Sequence, residues 1–372
     1  MDAAAADLEQ RAKSGEVAAQ LALGRHYESK GDTRSARNWL AHAAKAGDAE
    51  AARALAINLL TQEPIANDAA IQIAGDAAAR GDAEAMHLCG LIAAQDEKLP
   101  GRFGIALDHV RDAAERGLPL ARAELRLLAG DADSEDWSTL RSRIDPNDLS
   151  SALPCRDISK APRISVLENC APPEICDWLI AQAAPRLGRA QVYDPGTGLG
   201  RHEGARSNSA TEFGLVQSDI VLMLLRVRIA ASAGLSFRNL EPAQVLHYTV
   251  GQEFKSHHDF LDLSVPGYAR SAAMHGQRVA TFLLYLSDDY DGGETEFIDV
   301  GFKFKARKGD ALMFLNVDAN GEPDPMSMHA GVPTTRGEKW VLSLWLRGKP
   351  VNAFQTPRVS ATPLPPEWYR NA

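Results

Sequence analysis

Residues 278–297 read RVATFLLYLSDDYDGGETEF, an apolar run that ends in a polar turn and two glycines. If the run is extended, Thr281, Leu283 and Tyr285 share one face, and the apolar residues between them share the other. The adjacent Gly292 and Gly293 allow a sharp turn before the next short run. The stretch therefore predicts a hairpin with one polar-tipped face that could line a pocket.

Other short apolar runs of the β type surround this hairpin. They occupy residues 163–167, 244–248, 279–286, 311–315 and 340–346, and helical patterns occupy 172–187 and 217–233. Many short strands separated by glycine and proline turns are typical of a sandwich, barrel or jelly roll, and they argue against a parallel sheet.

The first part of the chain has a different character. Residues 1–130 contain 35 alanines. A short segment with one glycine recurs there, and its glycines, Gly15, Gly47, Gly81 and Gly117, are spaced by 32, 34 and 36 residues. This period indicates paired-helix repeats, in which each glycine ends one helix in a left-handed cap and the following acidic residue begins the next. The segments KAGDAEAA and ARGDAEAM resemble the Sel1-like repeat, a relative of the tetratricopeptide repeat. The alternative is an alanine-rich helical bundle without repeats.

Composition limits the classes of protein to which the chain can belong. A length of 372 residues predicts two domains, which we place at 1–130 for the helical repeats and 163–350 for the strands. Residues 131–162 are polar and predict a linker, and 351–372 form a C-terminal tail. A net charge of −9 disfavours nucleic-acid binding, and no apolar run is long enough to span a membrane. Four cysteines without a pairing pattern favour a cytoplasmic location.

Candidate metal ligands cluster in two segments of the second domain. Residues 244–259 read QVLHYTVGQEFKSHHD, and in an extended chain His257 and Asp259 point to the same side, whereas His258 points away. A histidine and a carboxylate two residues apart form one edge of a metal site, which a distant histidine can complete. His329 follows a strand and a polar loop, and Lys339 begins the next strand.

The combined motifs YxxGQxFxxHxD, RxATxLxYL, GGETxF, PDPxSxHAGxP and GxKW resemble the catalytic domain of prolyl 4-hydroxylases, a branch of the iron(II)- and 2-oxoglutarate-dependent dioxygenases. The resemblance covers about residues 160–350 and implies a double-stranded β-helix, a jelly-roll relative, joined to the helical repeats. It also implies Fe(II), 2-oxoglutarate and dioxygen, with ascorbate as an accessory reductant. Residue by residue, it implies iron ligation by His257, Asp259 and His329, binding of the distal 2-oxoglutarate carboxylate by Lys339, and supporting contacts from Tyr248, Thr281 and Tyr285.

The substrate is less well indicated. Arg206, Phe254, Arg278 and Trp345 match positions where the family has substrate-facing groups, and residues 196–213 match the loop that covers the substrate. Phe254 replaces the more usual tyrosine, and Arg347 replaces a frequent histidine, so these two positions put prolyl specificity in doubt.

We expect hydroxylation of a peptidyl residue, with proline as the first choice, and release of succinate and carbon dioxide. The repeats would then present the peptide or protein substrate. The first alternative is a hydroxylase of a small free molecule or a modified peptide natural product, with the repeats forming a homodimer. The second is a non-catalytic adaptor or sensor. Neither nucleic acid nor membrane is expected as a partner.

Overall fold

The chain forms two compact units, which the computed structural model describes over residues 3–62, 66–190, 192–194, 199–201, 206–351 and 367–368. The first unit comprises Met1–Pro146 together with Leu215–Met223, and the second comprises Asn147–Gly214 and Leu224–Asn352. No helix within these described ranges is both long and apolar enough to cross a membrane.

Consecutive helices pack against one another throughout the first unit. They are α1 Ala3–Lys13, α2 Val17–Ser29, α3 Thr33–Lys45, α4 Ala49–Thr61, α5 Asn67–Ala79, α6 Ala83–Gln95, α7 Arg102–Glu115, α8 Pro119–Ala129 and α9 Trp137–Arg143. The four repeating glycines have φ between +93° and +101° and separate the two helices of each pair, which confirms the predicted left-handed turns. The carboxylates of Asp48 and Asp82 then accept the backbone N–H groups of Ala51 and Ala85, as N-caps do.

Two helical glycines show how closely these helices approach. A Cβ atom on Gly24 in α2 would lie 2.7 Å from Cδ2 of Leu40, and one on Gly90 in α6 would lie 2.9 Å from the carbonyl oxygen of Ala106. Leu215, from the later segment of this unit, packs on the core of α4, α5 and α6. Small residues thus allow the repeats to bury a continuous apolar interior.

Antiparallel strands make up most of the second unit. They are β1 Arg156–Lys160, β2 Arg163–Leu167, β3 Gly188–Arg189, β4 Val192–Asp194, β5 Leu199–Arg201, β6 Ser209–Phe213, β7 Ala243–Tyr248, β8 Phe254–His257, β9 Arg278–Tyr285, β10 Tyr290–Gly292, β11 Thr295–Phe297, β12 Phe302–Phe304, β13 Ala311–Leu315, β14 His329–Gly331, β15 Thr334–Gly337 and β16 Lys339–Arg347. The helices outside the repeats are α10 Asn147–Ser150, α11 Pro173–Ala183, α12 Ile220–Ser232 and α13 Pro266–His275.

The strands form one large and one smaller sheet that pack face to face. The large sheet has the order β1-β2-β13-β9-β16-β7-β6-β3, the smaller has the order β12-β11-β14-β8, and two further pairs are β10-β15 and β4-β5. Tyr285 and Phe314 of the large sheet and Phe297 of the smaller one are fully buried in a common core. Each such side chain contributes about 2–3 kcal/mol of hydrophobic free energy. The unit is a jelly roll, which confirms the predicted fold class.

The segment predicted as a linker, residues 131–162, contains α9, α10 and β1, and the division between the units falls within it, after Pro146. Trp137 is buried, and the guanidinium groups of Arg122 and Arg126 lie 5.2 and 5.0 Å from the centre of its ring. The polar strand β1 pairs with β2 at the edge of the large sheet, and none of its residues is fully buried. This segment therefore contains helices and a strand that its polar sequence did not predict. Of the predicted tail, 352–366 and 369–372 lie outside the described residues.

Candidate metal centre

Three potential metal ligands meet where the smaller sheet ends. His257 is the last residue of β8, Asp259 follows two residues later, and His329 begins β14, directly opposite His257 in the antiparallel pair. Their ligand atoms all lie within 4.8 Å of one another. Nε2 of His257 is 3.6 Å from Oδ1 of Asp259, and Nε2 of His329 is 3.5 Å from Oδ2. One ion could contact all three side chains.

Backbone carbonyls fix both imidazole rings. Nδ1 of His257 donates to the Lys255 oxygen at 2.8 Å, and Nδ1 of His329 donates to the Ser327 oxygen at 3.0 Å. Because a carbonyl oxygen can only accept a hydrogen bond, Nδ1 carries the proton in each ring. The Nε2 lone pairs are therefore free to bind a metal, as is usual for histidine ligands.

A buried hydroxyl orients the carboxylate. Thr281 donates from Oγ1 to Oδ2 of Asp259 at 2.6 Å, and the amide of Asn316 donates to the same Thr281 oxygen at 3.0 Å. Burial raises the pKa of Asp259, but His329, His257 and the Thr281 hydroxyl lower it by more, so the pKa lies below its usual range. Asp259 is therefore an acceptor-only carboxylate at neutral pH.

The histidine opposite it is neutral. Burial, and then the neighbouring His257, lower the pKa of His329 to about 4, although Asp259 opposes them. Imidazoles and one carboxylate on one side of an ion leave other coordination positions open, which is the arrangement typical of non-haem Fe(II) oxygenases. The donor set fits Fe(II) on chemical grounds.

A small cavity that is open to solvent adjoins these ligands. Its lining includes His257, Asp259 and His329 together with Tyr248, Thr295 and Lys339. The cavity is partly enclosed by apolar residues of β7, β9 and β16. It therefore joins a metal-binding end to a lysine within one small space.

Lys339, the first residue of β16, is a buried cation. Its Nζ donates to the Gly293 carbonyl oxygen at 2.6 Å and lies 5.3 Å from the ring centre of Tyr248. Burial lowers the pKa of Lys339 to about 8, while the charge of Glu294 acts in the opposite direction. A buried ammonium is stabilised by an anionic partner, and one carbonyl uses only one of its three donors. A carboxylate entering the cavity would supply that partner.

The predicted co-substrate residues occupy two kinds of position. Tyr248 and Lys339 line the cavity, whereas Thr281 and Tyr285 are not among its lining residues. Thr281 holds Asp259 instead, and the Tyr285 hydroxyl is bonded to Oγ1 of Thr295 at 2.8 Å. Thr295 lines the cavity and was not singled out from the sequence, although it lies within the GGETxF motif.

Three of the four predicted substrate residues also line the cavity, namely Arg206, Phe254 and Trp345. The Arg206 guanidinium lies 4.7 Å above the Phe254 ring, which in turn stacks on His257 at 3.6 Å. Arg278 is not among the lining residues and stacks on Trp345. Of the predicted substrate loop, 196–198 and 202–205 lie outside the described residues.

The sequence of this chain is similar to those of 2OG-Fe(II) oxygenases and prolyl 4-hydroxylases. A family model described as the 2OG-Fe(II) oxygenase superfamily matches residues 243–347. Prolyl 4-hydroxylase 1 of Arabidopsis thaliana is 36% identical over 206 residues, and the match covers 52% of this chain and 71% of the relative. Probable prolyl 4-hydroxylase 9 of the same plant is 30% identical over 250 residues, covering 62% of this chain and 85% of the relative.

Two solved structures are also similar to parts of the chain. The viral collagen prolyl hydroxylase of Paramecium Bursaria Chlorella virus-1 is 24% identical with a TM-score of 0.38, covering 49% of this chain and 94% of the viral one. A Sel1 repeat protein from Oxalobacter formigenes is 25% identical with a TM-score of 0.28, covering 32% of this chain and 95% of that protein.

Proposed function

Because this chain belongs to the prolyl 4-hydroxylase branch of the 2OG-Fe(II) oxygenases, we propose that it hydroxylates a prolyl residue of a peptide or protein. It is a 2-oxoglutarate-dependent dioxygenase that uses Fe(II), 2-oxoglutarate and dioxygen. When bound, the iron supplies the oxidising chemistry that couples decarboxylation of 2-oxoglutarate to insertion of one oxygen atom into a C–H bond. Succinate and carbon dioxide are the co-products that we propose.

The observation that carries this proposal is the placement of two imidazoles, a carboxylate and a buried lysine around one cavity. In the proposal, His257, Asp259 and His329 hold the iron, and their backbone and Thr281 partners keep each donor atom directed at it. Lys339 binds the distal carboxylate of 2-oxoglutarate, with Tyr248 beside it. The apolar wall limits the access of water to the reacting groups.

The first test measures decarboxylation of labelled 2-oxoglutarate by the full chain with Fe(II), with and without a synthetic oligoproline. Wild type should release carbon dioxide slowly alone and faster with the peptide, which should gain one oxygen atom. His257→Ala should abolish both activities because an iron ligand is lost. His258→Ala is the matched control and should retain them, since its Nε2 contacts the Pro325 carbonyl and not the metal-binding group.

Two outcomes would contradict the proposal. Decarboxylation that is undiminished in His257→Ala would overturn the assignment of the iron site. Decarboxylation that responds to a free amino acid and not to any peptide would replace the prolyl proposal with hydroxylation of a small molecule.

We further propose that the repeats bind the protein or peptide substrate. Repeat arrays present extended binding surfaces, and the consecutively packed helices α1–α9 form an array of this kind. The test is mass spectrometry of proteins that co-purify with the full chain, searched for a gain of one oxygen that depends on iron. A homodimer with no co-purified substrate would favour the alternative role of the repeats.

A further inference from the structure

A buried ionic cluster lies behind one wall of the cavity. Glu241 accepts from Nε and Nη2 of Arg278, each at 2.8 Å, so the two side chains form a bidentate pair. Arg347 donates a third bond to the same carboxylate, also at 2.8 Å. Bidentate pairing fixes the plane of a guanidinium group as well as its position. The orientation of Arg278 is therefore set by Glu241.

The cluster is charged and shielded from solvent. The side chain of Glu241 is 12% exposed and that of Arg347 is 4% exposed. Burial raises the pKa of Glu241, but Arg278 and Arg347 lower it by more, so the carboxylate stays ionised. The remaining donors of Arg347 bond to neutral oxygens of Ser271 and Gly276. One carboxylate thus holds two cations, and an excess of positive charge remains.

One of the two cations, Arg278, stacks on the face of the Trp345 ring. Cζ of Arg278 lies 3.7 Å from the ring centre of Trp345. A guanidinium that stacks on an indole face is attracted by the ring quadrupole and restrains the ring plane. The backbone N–H of Glu241 also donates to the Trp345 carbonyl oxygen at 2.9 Å. Glu241 therefore acts on both the main chain and, through Arg278, the side chain of Trp345.

Trp345 itself has one unsatisfied group. It lines the cavity, and its indole Nε1 is buried without a hydrogen-bond acceptor among the described residues. A buried donor without a partner is energetically costly, so it favours a ligand that brings an acceptor. Indole nitrogen can only donate, which restricts that ligand group to an acceptor such as a carbonyl oxygen.

We propose that Glu241 and Arg278 are positioning residues, which orient the Trp345 indole so that its N–H binds a main-chain carbonyl of the peptide substrate. This inference rests on the proposed function. It changes the role of Arg278 from a substrate contact to a residue that acts through Trp345. It also assigns a role to Glu241, which no sequence motif singled out.

The kinetic test uses Arg278→Lys, which keeps the positive charge but loses the planar stack. With synthetic oligoproline, the KM for the peptide should rise about tenfold, as expected for the loss of a desolvated cation–π contact. The KM for 2-oxoglutarate and the decarboxylation rate without peptide should stay within about twofold. Arg336→Lys, which alters an exposed arginine paired with Asp289 and Asp291, is the matched control and should change none of these values.

Trp345→Phe should raise the peptide KM to the same extent, and adding Arg278→Lys to it should cause no further rise. Such non-additivity is expected if both residues act through the same indole. An unchanged peptide KM in Arg278→Lys would overturn the inference, and so would independent, multiplying effects of the two substitutions.

A second measurement does not need turnover. Arg278→Lys should shift the tryptophan fluorescence of the full chain, and this shift should be absent when Trp345 is already Phe. A shift that persists in the Trp345→Phe background would overturn the positioning role. If wild type decarboxylates 2-oxoglutarate but leaves oligoproline unmodified, the prolyl proposal fails, and the fluorescence result alone then decides whether Glu241 and Arg278 position Trp345.

Discussion

At the scale of single residues, Thr281 shows how the metal centre depends on a side chain that does not touch the ion. Its hydroxyl donates to Oδ2 of Asp259 and is itself held by Asn316. We expect Thr281→Val, which has nearly the same shape, to weaken Fe(II) binding by about 10- to 100-fold, because partners of metal ligands carry effects of this size. Isothermal titration with Fe(II) under anaerobic conditions measures it. Thr335→Val, at an exposed position of β15, should bind as wild type does.

Equal affinities for Thr281→Val and wild type would show that the carboxylate needs no such orientation.

The buried amine of Lys339 predicts that the affinity for 2-oxoglutarate depends on pH. Burial lowers the pKa of Lys339 to about 8 in the site without 2-oxoglutarate, and only the protonated amine attracts a carboxylate. Below this pKa the amine is already charged, whereas above it binding must take up a proton, so affinity falls about tenfold per pH unit. The KM for 2-oxoglutarate, measured by peptide-free decarboxylation, should therefore rise between pH 8 and pH 9. Lys303→Arg, at an exposed site, should keep this profile.

A KM for 2-oxoglutarate that is constant from pH 7 to pH 9 would contradict the assignment of Lys339.

The sequence predicted residue identities at this site better than residue contacts. Alternation placed Thr281 and Tyr285 on one face of β9, but periodicity cannot tell how far along the strand each side chain lies from the metal. The first reaches Asp259, and the second reaches Thr295. Similarly, the resemblance marked Arg278 as substrate-facing but gave no sign of its partner Glu241, which lies 37 residues earlier in the chain. Contacts of this range depend on the packed sheets and leave no local pattern.

At the scale of elements, two glycines in neighbouring helices should respond in opposite ways to the same substitution. Gly75→Ala in α5 meets no atom within 4 Å, so it should stabilise the repeats by about 1 kcal/mol through helix propensity. In Gly90→Ala, the new methyl group would lie 2.9 Å from the Ala106 carbonyl oxygen, so α6 and α7 must move apart. Overpacking of this kind costs about 1–3 kcal/mol. Denaturant unfolding followed by circular dichroism distinguishes the two variants, and a gain in both would contradict the close approach of α6 and α7.

Elements with strong periodicity were predicted well, and elements held by distant contacts were missed. The strand patterns at 163–167 and 311–315 coincide with β2 and β13, because buried strands carry nearly continuous apolar runs. The sequence did not indicate α13, which begins with Pro266 and Gly267 and buries little apolar surface. This helix is held from outside by Arg347, which donates to Ser271 across 76 residues of sequence.

At the scale of the whole molecule, the first unit contains a buried charge pair with a consequence for stability. Nε2 of His87 lies 2.9 Å from Oε2 of Glu124, and the backbone N–H of Ile220 donates to Oε1 at 2.7 Å. Burial lowers the pKa of His87, but Glu124, with smaller contributions from Asp219 and Glu84, raises it by more. The folded-state pKa therefore lies above the ordinary value of 6.5. The pair's contribution to stability is complete below that value and is lost as pH rises through the folded-state pKa.

We therefore expect the helical unit of the wild type to lose stability between pH 6 and pH 8, and Glu124→Gln to lose less. The amide keeps an acceptor for Ile220 but removes the charge that favours protonated His87. Denaturant unfolding at the two pH values, followed by circular dichroism, measures the difference. Glu135→Gln, at a side chain that is 79% exposed, is the control and should behave as wild type does. Parallel losses in Glu124→Gln and wild type would exclude the pair as the source.

The Glu124 carboxylate also affects how the chain can fold while it is being synthesised. Glu124 leaves the ribosome 96 residues before Ile220. The carboxylate of Glu124 already has His87 as a partner at that time, but it still lacks the backbone N–H of Ile220. At common translation speeds this interval lasts about 5–20 s. During it, the nascent repeats carry a carboxylate whose final partner does not yet exist, and Leu215 has not yet reached their core. A ribosome that stalls before residue 215 would therefore hold a helical unit that lacks both of these contacts, however long the pause.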